Sequence, residues 1–242
     1  MNIVLTGATG GLGRAIISQL ANDPTINLVL IGRNSKKLDF ENLQQSFKGK
    51  LHFITCDFSN LEDTQKLSSK IKIYFDSKIN ILINNAGIGY HCSIEDIVSE
   101  ELIDVFNINV ISTILLTSSL LPYFYAEGVS KIIFTSSILG SSSMNDTAVY
   151  TASKHAINGF AKVLRGETLE RGISITILEP GAIETAFIEK TNNTKTLEKF
   201  KSRNLKKLNP NVIAEWVYKI IKSDNNTCPE IIRISPIKQY LQ

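Results

Sequence analysis

The run Ile3-Val4-Leu5-Thr6-Gly7-Ala8-Thr9-Gly10-Gly11-Leu12-Gly13-Arg14 decides how the chain folds. A short apolar β-rich stretch over 2–6 passes through glycines into an amphipathic stretch over 12–22. That order reads as strand, tight turn, helix. Glycines at 7, 11 and 13 let the backbone bend sharply and approach a ligand with no side chain in the way. The following helix offers unpaired N–H groups and the positive end of its dipole, a natural seat for a phosphate. No Gly-Lys-Ser/Thr follows, which disfavours a nucleoside triphosphate, and the spacing also departs from G-x-G-x-x-G. The bland alternative is an ordinary strand–helix connection.

Outward from that turn, strand-like runs at 26–31, 51–55, 79–84, 130–136, 173–179 and 230–234 alternate with helical ones at 35–47, 60–77, 96–126, 148–171 and 210–223. Such alternation predicts an α/β fold, a parallel sheet of about seven strands with helices on both faces. Ile79-Asn80-Ile81-Leu82-Ile83 and Ile173-Ser174-Ile175-Thr176-Ile177-Leu178 suit central strands buried on both sides. The chain has 242 residues, 43% hydrophobic, with no repeat and no linker-like stretch, so one domain over 1–242 is expected. A net charge of +3 does not call for nucleic acid. No run of about 18 apolar residues suggests a membrane span, and no signal peptide is evident; a cytoplasmic protein is expected. Cys56, Cys92 and Cys228 are widely spaced, and the three histidines are scattered, so no disulfide framework and no metal site is expected.

The second strand ends Ile31-Gly32-Arg33. An acid here would bind a ribose 2′-hydroxyl, whereas a guanidinium suits a 2′-phosphate, so Arg33 favours NADP(H) over NAD(H) unless it is simply solvated. Asp57, after the third strand, is placed to accept a hydrogen bond from an adenine amino group or to serve as a helix N-terminal acid. Farther on, Tyr150 and Lys154 stand four residues apart in a helical stretch and share a face. At about 4 Å and an effective dielectric of about 20, an ammonium would attract a phenolate by on the order of 4 kcal/mol. A lowered tyrosine pKa and acid–base work near neutral pH are therefore expected. Alone, Tyr-x-x-x-Lys is more often a surface pair.

Taken together, these features resemble the short-chain dehydrogenase/reductases, in their compact branch with a Rossmann-type doubly wound sheet. Thr6, Gly7, Gly11 and Gly13 match T-G-x-x-x-G-x-G; Asn84-Asn85-Ala86-Gly87 matches N-N-A-G; Tyr150 and Lys154 match Y-x-x-x-K; Pro180-Gly181 matches the P-G beneath the nicotinamide, with Thr185 at the carboxamide-contacting position. The resemblance implies an enzyme interconverting a carbonyl and an alcohol. Tyr150 would be its acid/base, Lys154 its pKa-lowering and ribose-binding partner, and Ser137, preferred to Ser136, the group orienting the carbonyl. Asn109, preferred to Asn107, would hold a water that links the lysine to solvent. The cofactor would lie along Gly7, Thr9, Gly11, Leu12, Gly13, Arg33, Asp57, Asn85, Ala86, Gly87, Tyr150, Lys154, Pro180, Gly181, Ile183 and Thr185. The chain departs from the family in two places. It ends Ile231-Ile232-Arg233-Ile234-Ser235-Pro236 rather than in strand-Gly-Gly, which looks more like hydroxy-acid and general carbonyl reductases. Gly10 stands where many NADP-preferring members carry a basic residue, so the NADP(H) expectation rests on Arg33.

On the substrate side, Tyr90, His91, Met144 and Phe187 are candidate pocket residues, though each residue type is also common in cores. The polar segment 184–210 reads as a lid, and its lysines (Lys190, Lys195, Lys199, Lys201, Lys206, Lys207) as either an attractant for acidic partners or a solvated run. The expected partners are a small carbonyl or alcohol and a second copy of the chain, paired through the 96–126 and 148–171 helices into a homodimer or homotetramer. A 3-oxoacyl thioester reductase is a second enzyme reading; a non-catalytic dinucleotide-binding sensor or scaffold is a third.

Overall fold

The computed structural model describes residues 1–76, 78–124, 128–187, 198, 206–224 and 226–237. Seven parallel strands form one sheet in the order β3-β2-β1-β4-β5-β6-β7. They are β1 (Asn2–Thr6), β2 (Asn27–Gly32), β3 (Leu51–Thr55), β4 (Ile81–Asn84), β5 (Lys131–Thr135), β6 (Ser174–Pro180) and β7 (Ile231–Ile234). Each expected strand is present, within two residues of its expected ends. The β4 strand starts late because Ile79 forms only an isolated bridge, to Phe124.

Alternate residues of each strand face opposite sides, as the period of two requires. Val4, Val29, Leu82, Ile132 and Ile175 face one side, against α4 (Leu67–Phe75), α6 (Ser112–Leu120) and α7 (Ala148–Glu167). Ile3, Leu5, Leu28, Ile81 and Ile133 face the other, against α1 (Gly11–Leu20) and α8 (Pro210–Lys222). Both faces are covered, which is why the strands read as continuous apolar runs.

The helical runs are more broken than their periodicity suggests. The 35–47 run divides at Asp39, which adopts a left-handed φ of 47° between a 3₁₀ turn and α2 (Phe40–Ser46). The 60–77 run divides at Lys66 into α3 (Leu61–Gln65) and α4, and ends on left-handed Asp76. The 96–126 run is α5 (Ser99–Phe106), a π turn over Asn107–Ile111, and α6. Taken whole, Ser99–Tyr123 is long and apolar enough to cross a bilayer, but Val105, Val110, Leu116 and Leu120 are spent on the interior of this fold. Lys131 is a buried cation that its sequence context did not announce. Its Nζ donates to the carbonyls of Ile220 (2.8 Å) and Ser223 (2.7 Å), satisfying the C-terminal end of α8.

The strand order turns back between β1 and β4, and one hydroxyl ties those two strand ends together. Thr6 Oγ1 accepts from the backbone N–H groups of Asn85 and Ala86, each at 2.9 Å. Asn85 Nδ2 returns bonds to the carbonyls of Thr6 (3.2 Å) and Gly7 (3.3 Å). We expect Thr6→Val, which keeps the shape and strands both amides, to lower unfolding free energy by about 2–4 kcal/mol, while Thr6→Ser loses far less. Urea unfolding of the three proteins checks this; a Thr6→Val midpoint equal to the wild type would contradict it.

Candidate active site

Parallel strands place all their carboxyl ends along one edge, and a crevice opens there at the reversal of order. It is a cavity of about 750 Å³. Gly7, Gly11, Gly13, Arg33 and Asp57 line one part; Asn85, Ala86, Gly87, Ser137, Tyr150, Lys154 and Phe187 line the other.

The glycine turn is fixed by contact. Gly7 holds φ +65°, and a Cβ there would sit 2.9 Å from Ala86 Cα. A Cβ on Gly13 would come within 2.3 Å of the Gly7 carbonyl oxygen, and one on Gly11 within 2.5 Å of Thr185 Cγ2. Only hydrogen fits at Gly7 and Gly13, where the neighbours are backbone; at Gly11 the Thr185 side chain would have to move. The helix α1 has no side-chain cap: Gly10 occupies that place, and its first turn, Gly11 to Arg14, lines the crevice. These observations fit an anionic, phosphate-bearing cofactor. Thr9, Leu12, Pro180, Gly181, Ile183 and Thr185 also line the cavity, so every expected cofactor residue does.

At the far end of β2, Arg33 is exposed on the rim. Asn34 caps the 3₁₀ turn that follows, accepting from Lys36 N–H, and that turn brings Lys37 to the same rim; Arg14 of α1 joins them. Sequence reading missed Lys37 and Arg14 because each looks like one more solvated cation until the turn and α1 bring them beside Arg33. Asp57 lines the cavity while its Oδ1 accepts from Ser59 N–H and Oγ–H.

Tyr150 and Lys154 project from the first two turns of α7 and are 7% and 4% exposed. Ser137, at the head of a 3₁₀ turn over Ile138–Gly140, lies beside the Tyr150 phenol, where its hydroxyl favours the ionised form. Ser136 also lines the cavity, but its Oγ lies 2.5 Å from where a Gly140 Cβ would stand, beside Asn158. The charge-driven lowering expected for the tyrosine is absent. Burial pushes the Tyr150 phenol up to about 12, with the Ser137 hydroxyl opposing it. The ammonium of Lys154 is 5.7 Å from the ring centroid and donates instead to the Thr135 carbonyl at 2.9 Å. Burial takes it down to about 8. Desolvation outweighs the pairwise attraction because both groups are buried.

Asn109 sits in the π turn, where the altered backbone pitch points its side chain at the loop after β4. Its Oδ1 accepts from Ile88 N–H (2.8 Å), and its Nδ2 donates to Ile88 O (3.0 Å) and Ser153 Oγ (3.1 Å). The carboxamide thus fixes the 87–88 turn to α7. Asn107 begins the same π turn and does not line the cavity.

Of the pocket candidates, His91, Met144 and Phe187 line the cavity. Phe187 meets Tyr150 edge-on at 5.9 Å between centroids, and His91 lies 6.2 Å from it. Ile138, Leu139 and Met144 complete an apolar wall about the phenol. Tyr90 does not line it. The Tyr90 ring packs with Cys92, Val105 and Val149, and its hydroxyl accepts from Val98 N–H (3.0 Å) beside α5. The irregular path of the chain after β4 turns Tyr90 inward while His91 lines the crevice. Most of the expected 184–210 lid, with Lys190, Lys195, Lys199 and Lys201, lies outside the described residues; Lys206 and Lys207 are exposed. Among the described residues no group of three or more potential metal ligands forms.

A family model described as "short chain dehydrogenase" matches residues 1–196. The mouse protein "Dehydrogenase/reductase SDR family member 7B" is 35% identical over 188 residues, which is 76% of this chain and 58% of that protein. The chain therefore spans somewhat under two thirds of that relative's length. "NADP-dependent 3-hydroxy acid dehydrogenase" of Schizosaccharomyces pombe is 27% identical over 219 residues, covering 89% of this chain and 84% of that one. In fold, the solved "Closed form of serine dehydrogenase complexed with NADP+" superposes with a TM-score of 0.86 at 22% identity, over 99% of this chain and 96% of that one.

The buried ammonium leaves a signature in stability. An ordinary lysine holds its proton up to about 10.5, but Lys154 releases it near 8 when folded. The unfolded chain therefore binds more protons between those values, and stability rises with pH. Tyr150 reverses the trend above its ordinary value of 10, because burial keeps it protonated. Relative to Lys154→Met, we expect the cofactor-free wild type to gain about 2 kcal/mol between pH 8 and pH 10, read by chemical unfolding at each pH. A difference that does not change with pH would contradict the burial of a charged lysine.

Proposed function

The chain belongs to the short-chain dehydrogenase family of oxidoreductases, and from that we propose an NADP(H)-dependent enzyme interconverting a carbonyl and an alcohol. The observation carrying this reading is the convergence of Ser137, Tyr150 and Lys154 on one wall of the crevice whose other end holds the glycine turn. A sensor or scaffold would need the turn but not that trio.

Gly7, Gly11 and Gly13 would take the cofactor's phosphates, and Arg33, Lys37 and Arg14 its 2′-phosphate. Asn85 to Gly87, Lys154 and the Pro180–Thr185 segment would hold its nicotinamide end. When bound, the nicotinamide supplies or accepts the hydride. The protein handles the proton. With its phenol raised to about 12, Tyr150 carries its proton at neutral pH and stands ready as a donor in the reductive direction. Ser137 orients the carbonyl oxygen and, by donating to the phenolate left behind, opposes the burial that disfavours it. Lys154, half-ionised near pH 8, stands 5.7 Å from the ring centroid with charge to offset that phenolate. Asn109 keeps the β4 loop, and so the nicotinamide end, in register with α7.

The walls beside Tyr150 are Ile138, Leu139, Met144 and Phe187. They favour a neutral carbonyl with an apolar flank, since a carboxylate against them would lose its hydration without gaining a partner. Ile103 (54% exposed) on α5 and Val163 (61%) on α7 provide apolar surface for the association of copies.

Tyr150→Phe should lower kcat by at least about 10³-fold while the Kd for NADPH stays near that of the wild type; carbonyl-dependent NADPH oxidation and fluorescence titration read the two. Near-normal turnover in that variant would overturn the acid/base assignment. Arg33→Ala should raise the Michaelis constant for NADPH on the order of 10-fold or more and leave that for NADH little changed. Equal effects on both would remove the 2′-phosphate role.

A further inference from the structure

Glu179 is the residue before Pro180 and has no exposed surface, yet it does not line the cavity. Its carboxylate gathers donors from three elements. Asn158 Nδ2 of α7 reaches it at 2.8 Å, Ser141 Oγ at 3.0 Å, and Arg233 of β7 at 2.8 Å through Nε and 2.7 Å through Nη2. Asn158 Nδ2 also donates to the Gly140 carbonyl at 2.8 Å, and with two acceptors around it only the amide nitrogen fits there. An ion pair between a buried carboxylate and a half-exposed guanidinium is weak evidence for stability, because desolvation of the carboxylate offsets attraction, so its placement is the informative feature.

That placement bears on the site. The turn over Ile138–Gly140 begins at Ser137, whose Oγ accepts from Leu139 N–H (3.1 Å) and lies beside the Tyr150 phenol. The same turn ends at Gly140 and Ser141, the two points that the Glu179 network holds. Asn158 lies eight residues after Tyr150, two turns along the same face of α7, with Lys154 between. One carboxylate thus fastens the tail of the serine turn to the helix that carries the tyrosine. There is little slack: a Cβ on Gly140 would stand 2.7 Å from Asn158 Nδ2.

We propose that Glu179, with Arg233 as its counter-charge, is a positioning residue that fixes the 137–141 turn and so the separation of the Ser137 hydroxyl from the Tyr150 phenol. The proposal rests on Ser137 and Tyr150 as the pair that handles the carbonyl and the proton. It adds a lever outside the cavity: β7 reaches the chemistry through β6 without touching substrate.

Glu179→Gln tests it, since the amide keeps the volume but turns an N–H₂ toward one of the donors. Two readouts are taken. Amide hydrogen exchange over 137–142 reads the turn in the cofactor-free protein, and should accelerate on the order of 10-fold. Steady-state reduction of an apolar ketone should show kcat falling on the order of 10- to 100-fold, with the Michaelis constant for NADPH within about twofold. Arg233→Lys, which keeps the charge, should retain more kcat than Arg233→Met. Unchanged exchange overturns the proposal, as does faster exchange with wild-type kcat. A wild type that reduces no carbonyl is instead a failure of the oxidoreductase reading, and exchange alone then decides the clamp. Should Glu179→Gln not fold, Ser141→Ala removes one strand of the network at an exposed residue, and is judged by the same two readouts at smaller amplitude.

Discussion

Gly7 passes beneath Ala86 with room for a hydrogen and nothing larger, and Thr6 sews the crossing shut with two hydrogen bonds to the chain beyond β4. Much of the molecule is arranged around that crossing. Neighbouring parallel strands need long crossovers, and here those crossovers run one way from β1 to β3 and the other way from β4 to β7. The two sets of loops therefore part above the β1–β4 boundary. The crevice is a consequence of topology, and the glycines let a ligand approach its floor. A side chain at position 7 would push the two strand ends apart and close the site at its origin.

The opposite wall of the crevice is governed by desolvation. Tyr150 and Lys154 are both taken from water, and both move toward their neutral forms. A pairwise view of the two, with an attraction computed as though each were half-solvated, gets the direction wrong for the tyrosine. The chemistry is better served in one sense by this outcome, because a phenol that keeps its proton is a donor in waiting. In the mechanism we propose, loss of that proton would be eased by the Ser137 hydroxyl beside the phenol, while the Lys154 ammonium is held by the Thr135 carbonyl. The positions of these groups are inherited from the 3₁₀ turn after β5, the π turn in the helix before it, and the buried carboxylate of Glu179 behind them.

The sheet was legible because buried strands and amphipathic helices have different periods, and all seven strands lie where those periods put them. The glycine turn and the Tyr150–Lys154 face were legible because local geometry fixes both. Helix breaks were not, since Asp39 in a left-handed conformation and a π turn at Asn107–Ile111 leave the apolar pattern almost intact. The fates of Tyr90 and His91 were equally hidden: both lie in the irregular chain after β4, and only the path of that loop decides which one meets the crevice. Asn109 was legible as important but not for what it bonds. Glu179 and Asn158 could have been suspected only from polar residues interrupting apolar stretches, a signal that does not say which of them meet. Lys37 needed a 3₁₀ turn, set by the Asn34 cap, to arrive beside Arg33.

The joining of the phosphate-binding floor to the proton-handling wall is tested most directly by a single turnover. A preformed complex of the protein with one equivalent of NADPH is mixed with an excess of an uncharged apolar ketone, and the reduced-nicotinamide absorbance is followed beside the alcohol formed. Stoichiometric loss of that absorbance with one equivalent of alcohol is the expected result. Bound NADPH that persists unchanged against a panel of such ketones and aldehydes would contradict it, and would leave the crevice as a dinucleotide-binding site alone.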